Sequence, residues 1–125
     1  MSTLHANTAT DALHRLETMA LMSGVEMPLT ALRAQVASAV DLIVQLNRMS
    51  DGRRMVTEIS EVGTLTTDWH YQVTPMFELD DRRNLKKPKL ELVWTGNKSS
   101  FAKSLREKGL RDRAKLTAPL FAGAK

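Results

Sequence analysis

The 125-residue chain has no cysteine. Disulfides, thiolate metal sites and cysteine nucleophiles are therefore excluded. Aromatic residues are scarce: three Phe, one Tyr and two Trp, against seven Met. The core is then expected to be aliphatic, with few of the large anchors that dominate interfaces. No apolar run approaches the ~18 residues of a membrane span. The start lacks a basic segment followed by an apolar one and does not read as a signal peptide, so a cytoplasmic protein is expected. Neither G-x-x-x-x-G-K-[ST] nor G-x-G-x-x-G occurs, which leaves the chain without the usual backbone cradle for phosphates. No G-x-S-x-G nucleophile elbow occurs either. The three histidines are His5, His14 and His70. None are four apart on a helix, so the sequence offers no zinc pair and no metal ligands are assigned.

What is present is ordinary for a globular chain of one domain: 42% apolar and 26% charged residues. The net charge is +4, but it is unevenly distributed. Residues 1–81 hold five Lys/Arg and eleven Asp/Glu, whereas residues 82–125 hold thirteen and three. A basic half of this kind fits either a solvated tail or a surface for nucleic acid, acidic lipid or an acidic partner.

Thr8 to Ser23 is expected to be a helix. Thr8 and Asp11 have capping-box spacing, Leu13, Leu16 and Ala20 recur at helical intervals with Ala12 and Met19 beside them, and Gly24 is a stop. Pro28 opens a second helix whose apolar stripe is Leu29, Leu32, Val36 and Ala39. The period then shortens. Leu42, Val44 and Leu46 alternate with Ile43, Gln45 and Asn47, and Asp51-Gly52 predicts a type I′ hairpin turn into a partner strand, Arg54 to Val62. Trp69 to Leu79 reads as a strand with Trp69, Tyr71, Val73, Phe77 and Leu79 on one face. Pro75 within it predicts an edge strand or a bulge. Asp80 to Pro88 reads as a charged loop, and its Asp80-Asp81 pair as a solvated turn. Leu90, Leu92 and Trp94 make a fourth alternating run, with Trp94 on its buried face. Ser99 or Ser100 then caps a short helix carrying Phe101, Leu105 and Lys108 and closed by Gly109. A basic tail follows, anchored by Leu120 and Phe121. Two helices, four mainly antiparallel strands and a C-terminal helix make an α+β order.

Several blocks of this sequence resemble the type II/type IV secretion-system ATPases, and most closely the CpaF-type motors of tight-adherence pili. Ser2-Thr3-Leu4-His5-Ala6-Asn7 is similar to the end of their histidine box. Ala12-Leu13 with Arg15-Leu16-Glu17-Thr18-Met19, then Leu32-Arg33 with Gln35 to Gln45, then Asp51-Gly52-Arg53-Arg54 with Val56 to Val62, resemble the blocks that follow in those proteins. The resemblance is dense from Ser2 to Val62. It thins after Gly63, and residues 63–94 fit no pattern of the family.

The resemblance implies the C-terminal part of a RecA-like α/β NTPase domain over residues 1–62, with 63–125 a divergent basic extension packed on it. It also implies a motor fragment that is inactive alone, since such motors carry a phosphate loop and acidic boxes ahead of the histidine box. ATP and Mg²⁺ belong to the intact family member and none is expected on this chain alone. The implied partners are the other subunits of a hexameric ring and inner-membrane platform proteins, with the chain cytoplasmic and peripheral to that membrane. His5 matches the histidine near the γ-phosphate. Arg15 is placed to contact nucleotide or a neighbouring subunit, its alternative being a helical pair with Asp11. Arg33, Arg53 and Arg54 read as interface or surface residues. The other reading is a free-standing accessory or nucleic-acid-binding protein that uses the basic half.

Overall fold

In a computed structural model the described residues are 1–24, 26–80 and 91–101. They form two helices and four strands: α1 (Ala9–Met22), α2 (Leu29–Ala39), β1 (Leu42–Arg48), β2 (Arg54–Val62), β3 (Val73–Asp80) and β4 (Glu91–Trp94). The fold class is α+β as expected, with an antiparallel sheet in the order β1-β2-β3-β4. The expected loop over 80–88, apart from Asp80, lies outside the described residues. So do Leu90, the C-terminal helix beyond Phe101, and the Leu120–Phe121 anchor. No helix among the described residues is long and apolar enough to cross a membrane.

The chain divides into two compact units, one of Met1–Gln45 with Ser60–Thr74, the other of Leu46–Ile59 with the residues from Pro75 on. In the first unit α1 begins where its cap predicts. The Thr8 Oγ1 accepts from the Asp11 amide at 3.1 Å, relieving one of the unpaired donors of the first turn. Gly24, with φ +80°, ends the helix in the left-handed region that a Cβ would strain. Pro28 sits one position earlier than expected, as the N-cap of α2. The apolar core of this unit is small: Ala9, Ala12, Leu13, Leu32 and Val62. Glu17, Gln45, Ser60 and Glu61 are buried with it. The apolar stripes are only partly used. Met19, Leu29 and Ala39 are exposed, and Glu17 takes the buried position one turn after Leu13.

β1 departs from its pattern more sharply. Its apolar face, Leu42, Val44 and Leu46, is about half exposed, whereas Gln45 on the other face is buried. The amide of Gln45 explains the choice: Nε2 donates to the Ala6 carbonyl at 3.0 Å, so a polar side chain is buried because it ties down the segment ahead of α1.

The β1–β2 connection is also not the expected two-residue turn. Met49 N donates to Arg53 O at 2.8 Å and Gly52 N to Met49 O at 2.9 Å, which leaves a three-residue loop. Only Gly52 has positive φ (+87°), whereas a type I′ turn needs it at both central residues.

β3 starts at Val73, four residues later than expected. The stretch before it folds back on itself. Gly63 N donates to Gln72 O, Thr66 N to His70 O, and Trp69 N to Thr66 O. Trp69 closes this turn at φ +62°, the one non-glycine residue with positive φ among those described. β3 is an interior strand rather than an edge. Pro75 is tolerated because the β4 ladder runs only from Phe77↔Trp94 to Asp80↔Glu91, so that flank is already open two residues before. There the Pro75 carbonyl accepts from Thr95 Oγ1 (2.7 Å) and Asn97 Nδ2 (2.8 Å). Met76, on the face opposite the expected apolar one of Val73, Phe77 and Leu79, is the buried residue of β3. Trp94 is half-buried and its indole N–H donates to Asn97 O at 2.9 Å.

Candidate functional site

The helical period gives α1 two faces. Ala9, Ala12, Leu13 and Glu17 face the core. Asp11, His14, Arg15, Thr18 and Met22, three and four residues apart, form a stripe on the other side. This stripe and Met19 make one wall of an open groove of about 760 Å³; the other is His5, Ala6 and Asn7. The two residues singled out from sequence, His5 and Arg15, therefore line the same groove. His5 is exposed, and its segment is held by the Gln45–Ala6 hydrogen bond. The alternative pairing of Arg15 is not made: among the described residues no ion pair joins it to Asp11. The guanidinium remains in the groove wall, where it can meet an anion in bidentate fashion.

Behind the groove lies a charge cluster that sequence reasoning missed. Glu17 Oε1 accepts from Arg33 Nε at 2.9 Å, and its side chain is only 8% exposed. Oε2 lies 3.5 Å from His14 Nδ1. Arg33, expected at an interface or on the surface, instead has a largely covered side chain and a second contact, Nη1 to the Trp69 carbonyl at 3.3 Å. The Tyr71 ring meets the His14 ring edge-on, 5.6 Å between centroids and 70° between planes. Its buried hydroxyl lies near enough to Glu17 for each to influence the other's ionisation, yet finds no partner at full hydrogen-bond geometry.

Burial works against the Glu17 charge. The nearby Tyr71 hydroxyl, the contacts with Arg33 and His14, and the Arg33 charge together outweigh it and hold the carboxyl below its ordinary range. The Tyr71 phenol is pushed up by burial and by the neighbouring carboxylate. A signal for this cluster did exist in the sequence. Glu17 follows Leu13 by one turn on the core-facing side, and a charge there needs a buried partner.

The other arginines differ. Arg53 pairs with Asp51 at 2.7 Å on the surface, and Arg54 is exposed. His70 is exposed in the turn before β3, its amide donating to Thr66 Oγ1. Among the described residues no three His, Asp or Glu side chains converge as metal ligands.

The model of the type II/IV secretion system protein family matches residues 1–100. The chain belongs to this family. No curated protein sequence matches it. The family is that of the secretion-system ATPases, and the matched range contains the blocks quoted above. The match includes the groove, the Glu17–Arg33 cluster and residues 63–94, which the block-by-block reading could not place.

Proposed function

We propose that the chain serves in an ATP-driven motor of the CpaF type, a hexameric ring that powers pilus assembly or protein secretion from the cytoplasmic side of the inner membrane. The observation that carries this reading is the convergence of His5 and Arg15 on one open groove beside the start of α1. Amide donors at a helix start favour anions, an imidazole can hydrogen-bond a phosphate or orient an attacking water, and a guanidinium can grip phosphate oxygens or a neighbouring subunit's carboxylate. His5 is assigned to the phosphate side, and Arg15 to nucleotide or an inter-subunit contact. Among the described residues that line the groove, Asp11 is the one carboxylate that could help to hold Mg²⁺ beside a phosphate.

Residues 1–125 contain no phosphate loop, so ATP turnover by this chain alone is not expected. The test adds ATP to the purified full chain and follows both phosphate release and the His5 imidazole resonances. The expected result is no release above background together with a His5 shift at millimolar ATP. Release that scales with protein concentration and vanishes in His5→Ala would overturn the expected inactivity. A silent His5 would overturn its assignment to the phosphate side.

A further inference from the structure

His14 and Glu17 have no role in the reading above, yet they connect the groove to the core. His14 is 47% exposed on the groove side, while the carboxylate behind it is 8% exposed. An ionised carboxylate only accepts hydrogen bonds, so a hydrogen bond across the 3.5 Å between them is donated by the imidazole nitrogen that faces it, Nδ1. That leaves Nε2 for the groove. The carboxylate cannot swing away without cost, because its other oxygen is held by Arg33 Nε at 2.9 Å and Arg33 is itself held to the Trp69 carbonyl. Tyr71 packs edge-on against the imidazole and limits its rotation. The ring is thus located from behind on two sides.

We propose that Glu17 is a positioning residue that orients His14, and that the oriented His14 is a second imidazole contact, beside His5, for a phosphate-class anion in the groove. This rests on the groove reading given above. The charged and titratable groups around His14 are Glu17 on its own helix, Arg33 from α2, Tyr71 from the segment before β3, and His5, Asp11 and Arg15 around the groove. Asp11 opposes an anion, whereas His5 and Arg15 favour one. Donation to an anion needs a hydrogen on Nε2 as well, so the anion is bound by the imidazolium, which takes up one proton from solvent on binding and then donates from Nδ1 to Glu17 and from Nε2 to the ligand. The same partnership between a carboxylate and an imidazole fixes tautomer and orientation wherever a histidine must present one chosen nitrogen.

The test uses the full chain and inorganic pyrophosphate at constant ionic strength, read through the imidazole ¹⁵N and ¹H signals of its three histidines. In the free protein His14 is expected to carry hydrogen on Nδ1. Pyrophosphate should move His5 and His14 with one dissociation constant and leave His70 unchanged. His14→Ala should weaken binding about tenfold, the worth of one charge-assisted hydrogen bond. Glu17→Gln should weaken it similarly, but add nothing in the His14→Ala background. If pyrophosphate moves neither His5 nor His14, the groove reading fails and takes this proposal with it. A response at His5 alone, a neutral His14 in the free protein with its hydrogen on Nε2 in place of Nδ1, or unchanged affinity in His14→Ala overturns the positioning role and leaves the groove reading standing. An equal loss from Glu17→Gln with and without His14 would likewise overturn it. Should Glu17→Gln fail to fold, the tautomer in the natural chain and the His14→Ala affinity still decide.

Discussion

Replacing Arg33 by Met removes the charge that compensates Glu17 but retains most of the side chain's apolar stem. Glu17 is 8% exposed and Arg33 21%, so the carboxylate would be left in the core with the distant His14 contact at 3.5 Å and the unaligned Tyr71 hydroxyl. Breaking a buried pair by removing one partner costs about 3–5 kcal/mol. Because the guanidinium retains some solvent contact, the low end applies, about 3 kcal/mol. That is a large share of the roughly 5–15 kcal/mol that holds a typical domain together. In urea it corresponds to a midpoint lowered by about 2 M, taking a slope near 1.5 kcal/mol per M. The double variant Glu17→Met/Arg33→Met should recover most of the loss, since apolar groups of similar volume often replace a buried ion pair without penalty.

The pair also sets an acid dependence. The Glu17 carboxyl is held below its ordinary 4.5, so on acidification the unfolded chain takes up this proton first. The contribution is complete above that ordinary value and is lost as pH falls through the lower native one. Arg33→Met should therefore lose less stability on acidification than the natural chain. The assay is equilibrium urea unfolding by circular dichroism between neutral pH and the acid transition. A midpoint for Arg33→Met within about 0.3 M of the natural chain, or a double variant less stable than the single one, would refute the assignment of this pair as a buried anchor.

Thr8→Ala should cost about 1 kcal/mol by removing the cap on Asp11 N, with thermal unfolding as the check. The half-exposed Leu42 and Val44 predict concentration-dependent self-association that Leu42→Lys/Val44→Lys abolishes, whereas a strict monomer of the natural chain at all concentrations in light scattering would count against it. Single-stranded nucleic acid should bind weakly at physiological salt, with no change in Trp94→Ala, because that half-buried indole already spends its N–H on Asn97 and has little face to stack on a base. Tight, Trp94-dependent binding would restore the accessory-protein reading.

Local chemistry made several features legible from sequence. Thr8, Asp11 and Gly24 bound α1 because a cap and a left-handed stop act within a few residues. The second strand of the hairpin, Arg54–Val62, followed from the alternating run before it and the Asp51-Gly52 turn signal. The sequence blocks between Ser2 and Val62 pointed to the secretion-system ATPase family because they are ordered and long. The placement of His5 and Arg15 in one groove needed the fold, although both had been singled out beforehand.

What tertiary structure alone decided is which face of each element is covered. Periodicity marks two faces, but partners choose between them. β1 hides Gln45 and exposes its leucines because a carbonyl at Ala6 needs a donor. α1 buries Glu17 because Arg33, sixteen residues away in sequence, arrives to neutralise it. Pro75 sits in an interior strand because β4 has already ended. Each outcome depends on a group distant in sequence, and a buried polar atom is tolerated only where such a group meets it.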